Sequence, residues 1–170
     1  MRSDKLNNLP IFNKAEEIYK LTEAIIRTVP DENEFLQETV ARFMIEDAMM
    51  IPAKLSGAIA VDLYDIKMEN ATIIRKCARE LYVRAGSLRY EEDFKDNEYV
   101  ELLRNTIDEF QLLFVEWVAG FDQWNYIIDR WGLFNPPGVS VHDKDPDDDI
   151  PFNPDDFFRD FNNLEEDEED

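Results

Sequence analysis

Carboxylates are the most abundant reactive groups in this chain, so any catalytic or metal-binding reading must start from their spacing. Glu46, Asp47, Asp62 and Asp65 could form an all-carboxylate metal site. Helical bundles build such sites from inward Glu residues and Glu-x-x-His pairs, which put two ligands on one helix face. No Glu-x-x-His occurs, and the single histidine, His142, lies outside the helical pattern, so these residues read as solvated faces. The same shortage removes Ser/His/Asp or Cys/His nucleophilic chemistry, which needs an imidazole beside its nucleophile. The run Asp143-Lys144-Asp145-Pro146-Asp147-Asp148-Asp149 places carboxylates at alternate positions, as calcium loops do. An EF-hand loop also needs glycine at its sixth position and a bidentate Glu at its twelfth, which here are Asp148 and Pro154. A solvated acidic stretch fits better. Cys77, the one cysteine, permits neither an intrachain disulfide nor a Cys-based zinc site and reads as a small buried side chain. The expectation is a protein that is not an enzyme, with no catalytic, cofactor-binding or metal-ligating residue assigned.

Binding chemistry is better represented. From Ala71 to Tyr90 five basic residues, Arg75, Lys76, Arg79, Arg84 and Arg89, stand against one acidic residue, Glu80, in a chain of formal net charge -21. Arg75, Arg79 and Arg89 share a helical stripe with Tyr82 and Gly86, displaced about 100° from the apolar seam of the same helix. These cations could bind a phosphate backbone or an acidic partner, or they could neutralise acids on neighbouring helices and receive the acidic C-terminal segment. The acid itself is unevenly spread. Residues 131–170 carry two basic and 14 acidic residues, a balance of -12, against -9 for residues 1–130. A chain of this charge is repelled by nucleic acid and by anionic lipid, so DNA or RNA could bind only through a local basic face, and membrane binding is not expected. Within the acid, Asp147, Asp148, Asp149, Ile150, Pro151, Phe152, Phe157 and Phe158 form a candidate docking segment for a basic partner or for the bundle, since aromatic side chains without a core need a surface to cover them. Its charge density also suits a nucleic-acid mimic that occupies a basic groove.

The elements that must position these groups are helices. Val100, Leu103, Ile107, Phe110, Phe114, Trp117, Phe121, Trp124, Ile128 and Trp131 recur at alternating spacings of three and four, predicting a long helix from about Glu98 to Trp131. Ile11, Ala15, Ile18, Thr22 and Ile25 predict a first helix from Pro10 to about Thr28, with Pro10 in the first turn and Pro30 past the end. Ala41, Met44, Ala48, Ile51, Leu55 and Ala58 predict a second, interrupted by Pro52, where a kink or break is expected. Ile74, Ala78, Leu81, Ala85 and Leu88 predict a third, with Asp65 or Asn70 as its N-cap. The fold class expected is all-α, an up-down-up-down four-helix bundle over residues 1–131. Residues 132–170 would be a Pro/Gly hinge and an acidic, irregular tail, disordered at its end. The opening residues lack the apolar stretch of a signal peptide, and Glu116 and Asp122 interrupt the most apolar region, so a cytoplasmic location is expected.

Ile51-Pro52-Ala53-Lys54-Leu55-Ser56-Gly57-Ala58, after a first helix containing Ala15-Glu16-Glu17-Ile18-Tyr19, resembles the S23 or intervening-sequence four-helix-bundle family. That family includes the Avd accessory proteins of diversity-generating retroelements and has an Ile-Pro-Ala segment in its second helix. The order of elements agrees over roughly residues 10–131. The resemblance implies a non-enzymatic bundle, commonly a ring-like homopentamer, and in the Avd branch a barrel that binds a reverse transcriptase and its template RNA through a basic surface. This chain departs from that branch in its acidity and long tail, and only Arg75, Lys76, Arg79, Arg84 and Arg89 could carry the RNA. A smaller resemblance joins Asp147-Asp148-Asp149-Ile150-Pro151-Phe152 to the acidic tips of bacterial single-stranded-DNA-binding proteins, which insert Pro-Phe into a partner's apolar pocket. Here Asn153 follows Phe152, so the terminal carboxylate of such tips is absent at that position. The leading expectation is a homo-oligomeric interaction or scaffold protein that binds a protein partner through its bundle surface and acidic tail.

Overall fold

The computed structural model describes residues 6, 8–92 and 94–151. Among them are four α-helices and no strand: α1 (Pro10–Ile26), α2 (Arg42–Ile59), α3 (Tyr64–Ser87) and α4 (Asn97–Ala119). α1 packs on α2 and α4, and α3 packs on α2 and α4, so the four apolar seams share one interior. Every seam residue named above for the first three helices is buried. Each large one contributes roughly 1.5–3 kcal/mol by leaving water. Thr22 is the polar member of the α1 seam, and its hydroxyl donates to the Ile18 carbonyl at 2.8 Å, so no polar atom is stranded there. None of the described helices is long and apolar enough to cross a membrane.

Three local features add to or refine the sequence expectations. A π-helical turn (Leu36–Ala41) leads into α2, where its i→i+5 bonding lets Leu36 and Ala41, five residues apart, both reach the core. α2 then passes through Pro52 without a break. The Ser56 hydroxyl donates to the Pro52 carbonyl at 2.9 Å on the far side of the imino acid. At the start of α3 neither expected cap is used: Leu63 precedes the helix with no side-chain cap. Asp65 lies in the first turn and accepts from the Ile127 N–H, while Asn70 donates inside the helix to the Ile66 carbonyl at 2.9 Å.

The largest correction concerns α4, which ends at Ala119 and does not reach Trp131. Gly120 is a poor helix former, and two residues on the Asp122 carboxylate accepts from the Trp124 N–H at 2.9 Å, a local bond that competes with helix propagation. Phe121 folds back edge-on against Trp117, with centroids 4.7 Å apart, and with Tyr64 and Ala71 makes a small satellite core. Phe121 and Ile128 are therefore buried as the seam required, but Trp124 and Trp131 are 89% and 91% exposed. Their spacing continued the helical period past the helix.

Residues 120–151 combine single backbone turns with side chains that bond to backbone. The Asp129 carboxylate accepts from the N–H groups of Trp131, Leu133 and Phe134 at 2.8–2.9 Å, around a turn that Gly132 enters at φ 75°. Asn135 closes the turn, accepting from the Asp129 N–H and donating to the Asp129 carbonyl. The Arg130 guanidinium donates to the carbonyls of Val141 and Asp143, and the Asp145 carboxylate accepts from the N–H of buried Ile128 at 3.1 Å.

Candidate functional site

The five cations from Ala71 to Tyr90, on α3 and its 3₁₀ extension (Leu88–Tyr90), divide into two groups. Arg84 is turned inward: it pairs with Asp47 of α2 and with Glu80 at 2.7 Å, and lies 5.4 Å from the centre of the Phe43 ring. Arg89 pairs with Glu101 of α4, and Lys76 lies 4.0 Å from Glu80. These three tie helices together or serve their own helix, as the intramolecular reading of the basic stretch anticipated. Arg75 and Arg79 form no ion pair among the described residues and are exposed.

Arg75 and Arg79 stand on the rim of a cleft of about 380 Å³ between α3 and α4. Ala78, Ile107, Phe110 and Phe114 supply its apolar floor, and Tyr82 closes one end. Asp108 and Gln111 form the opposite wall. Volumes of about 300–1,000 Å³ with a few convergent polar groups are typical of ligand sites. On the outer side of the same arginines a shallower basic depression of about 430 Å³ runs past Lys76, Val83 and Arg84.

Arg104 of α4 belongs to this face and is missed by a reading of α3 alone. Its guanidinium lies 3.7 Å from the centre of the Tyr82 ring and donates to the Tyr82 carbonyl at 3.1 Å. It occupies the space a side chain at position 86 would need, for a Cβ on Gly86 would stand 2.3 Å from Arg104 Nη1. The sequence signal was the glycine in mid-stripe, whose missing Cβ admits the guanidinium.

The acidic residues considered as a metal site are dispersed onto separate partners. Glu46 pairs with Arg42, Asp47 with Arg84, Asp62 with Lys67, and Asp65 takes the Ile127 N–H. No group of three or more His, Cys, Asp or Glu side chains able to hold a metal occurs among the described residues. Burial raises the Asp47 carboxyl above its ordinary value against the opposing pull of Arg84. Burial and the Asp47 carboxylate together push the Cys77 thiol up to about 11, which keeps it protonated at neutral pH and poor as a nucleophile. His142 is exposed, and its backbone N–H, not its ring, reaches the Ser140 hydroxyl at 3.2 Å.

Of the candidate docking segment, Asp147, Asp148, Asp149, Ile150 and Pro151 are exposed and turn upon themselves. Asp148 N–H donates to the Asp145 carbonyl, Ile150 N–H to that of Asp147, and Asp149 pairs with Lys144. Phe152, Phe157 and Phe158 lie outside the described residues.

Apolar side chains are also left facing water. Leu112 and Val115, on the outer side of α4, are 69% and 60% exposed, and Trp124, Trp131 and Leu133 follow in the loop beyond. No family model matches this chain, and no curated protein does.

Proposed function

We propose that the chain is a non-enzymatic interaction protein: an up-down-up-down four-helix bundle of the S23 kind that self-associates and binds a protein partner through its surface and acidic tail. The observation that carries this reading is the apolar surface of α4 and the loop after it, where Leu112, Val115, Trp124 and Trp131 stand in water. Isolated exposed apolar residues are ordinary, but two tryptophans near 90% exposure, together with exposed Leu112 and Val115 on α4, resemble an interface without its partner. Light scattering after size exclusion tests it. A mass above one chain is expected, falling to one chain in Leu112→Glu/Val115→Glu, and a strict monomer at every concentration removes self-association.

The second reading is an accessory protein of a reverse transcriptase that binds nucleic acid. Arg75 and Arg79 favour it, being the cations of α3 without internal partners among the described residues. Binding of template-like RNA at low salt, falling steeply with added salt and abolished by Arg75→Glu/Arg79→Glu, would support it. No binding at low salt by the unaltered protein rules it out.

A further inference from the structure

We propose that the cleft between α3 and α4 is the receptor for this chain's own acidic-aromatic segment, Asp155-Asp156-Phe157-Phe158. This deepens the reading that the tail binds a surface, and depends on it.

The cleft combines two chemistries that seldom favour the same ligand. Its floor is apolar and includes the ring of Phe114, whereas its α3 rim presents Arg75 and Arg79. A plain polyanion would leave the floor wet, and a plain apolar peptide would strand two guanidinium groups. An aromatic pair preceded by two carboxylates satisfies both: phenyl rings cover the floor and carboxylates meet the arginines in charge-assisted bonds. Asp108, on the opposite wall, repels carboxylates and so fixes which side the acid takes.

The chain can reach the cleft. Asp145 is anchored to Ile128, and Ile128 belongs to the loop that packs beside the first turns of α3. Beyond the turn that ends at Ile150, seven residues lead to Phe157, up to about 24 Å of extended chain. Asp65, which accepts from the neighbouring Ile127 N–H, is about 15 Å along the α3 axis from Arg75 and about 21 Å from Arg79. A segment tethered so near has a high effective concentration at the cleft, which a free peptide of equal sequence lacks. Polyphosphate has no such tether and meets the repulsion of a chain carrying -21.

Disulfide trapping in the full chain tests the assignment. Gln111→Cys on the α4 wall and Arg159→Cys beside the aromatic pair are combined and oxidised mildly at micromolar protein. The expected product is an intrachain cross-link whose rate is independent of protein concentration. It should form at least tenfold faster than in a control pairing Arg159→Cys with Ser56→Cys in the groove between α1 and α2. Arg75→Glu/Arg79→Glu should slow trapping about tenfold, and adding Asp155→Lys/Asp156→Lys should restore it, with helicity by circular dichroism unchanged throughout. Asp108→Asn should leave trapping equal or faster. A rate no greater than the control, or one indifferent to the arginines, overturns the proposal. Cross-links between chains only, vanishing on dilution, also overturn it by making the occupant a second copy. A monomer with a trapped segment would refute self-association and leave this assignment standing, while an oligomer whose segment ignores the cleft would do the reverse.

Discussion

The helices and the loop that follows them are ordered by opposite means. In α1–α4 the backbone satisfies itself, and side chains are free to form one apolar interior. In residues 120–151 the backbone has only isolated turn bonds, and Asp122, Asp129, Asn135 and Asp145 accept many of its other N–H groups, Asp129 alone taking three. Helical order is therefore spread over many small apolar contacts, whereas loop order is concentrated in a few polar atoms. One consequence is cooperativity. Damage to the helical interior should be felt throughout the molecule, and damage to the loop should stay local.

The largest effect is expected from the interior itself. Phe110 is 1% exposed and sits where the cores of α3 and α4 meet. Phe110→Ala should cost about 3–5 kcal/mol, through lost transfer free energy and the cavity left behind. Urea denaturation followed by circular dichroism reads this directly. A loss under about 1 kcal/mol would mean that this stretch of α4 is not part of a closely packed core.

A smaller effect, with a pH signature, is expected at the α2–α3 ion pair. Arg84→Ala leaves Asp47 half-desolvated without its cation, and the loss should be about 1–3 kcal/mol near neutral pH. The sign follows from the carboxyl already being raised above its ordinary 3.8 by burial. A group raised in the folded state contributes stability that is present below its unfolded pKa and lost as pH rises through the folded one. Removing Arg84 raises it further, so the variant's deficit should be least in acid and grow as pH climbs through that raised value. A deficit that is flat with pH would show that Arg84 acts through packing on Phe43.

Asp129 sharpens the comparison from the other side. Asp129→Ala should leave the helical melt unmoved, yet abolish hydrogen-exchange protection at the amides of Trp131, Leu133 and Phe134, which donate to its carboxylate. Those donors, the Phe134 N–H foremost, hold the Asp129 carboxyl below its ordinary 3.8. The stability this bond gives the turn is thus present above the ordinary value and lost as pH falls through the lowered one. A global melt that shifts with this substitution would contradict the locality argued above.

How far the sequence could be read follows the same division. Seam residues from Ile11 to Phe110 announce themselves because helical burial has a period, and the all-α class follows from that period alone. Trp124 and Trp131 keep the period by coincidence. What ends α4 is Gly120 and the side chain of Asp122, and a carboxylate bonding two residues ahead leaves no periodic trace. The site was half legible. A basic excess in α3 is visible as composition, but which arginines are spent on Asp47 and Glu101 depends on helices 37 and 12 positions away, and only packing decides it. Arg104 escaped for the same reason, since its partner Tyr82 belongs to another helix.

The smallest net effect tests that last contact. Gly86→Ala gains roughly 0.5–1 kcal/mol of helix propensity, because alanine loses less backbone entropy on folding than glycine does. The new Cβ would overlap Arg104 Nη1, so the guanidinium must leave Tyr82, forfeiting a cation–π contact and one hydrogen bond of about the same combined worth. The two changes oppose each other, and urea denaturation should find the variant within about 0.5 kcal/mol of the parent. In an Arg104→Ala background nothing has to move, and the same substitution should stabilise by its full propensity gain. A double-mutant cycle therefore isolates a coupling of about 0.5–1 kcal/mol between two positions 18 residues apart. If Gly86→Ala stabilises equally in both backgrounds, Arg104 does not hold its place over Tyr82 in solution, and the end of the cleft that Tyr82 closes stands open.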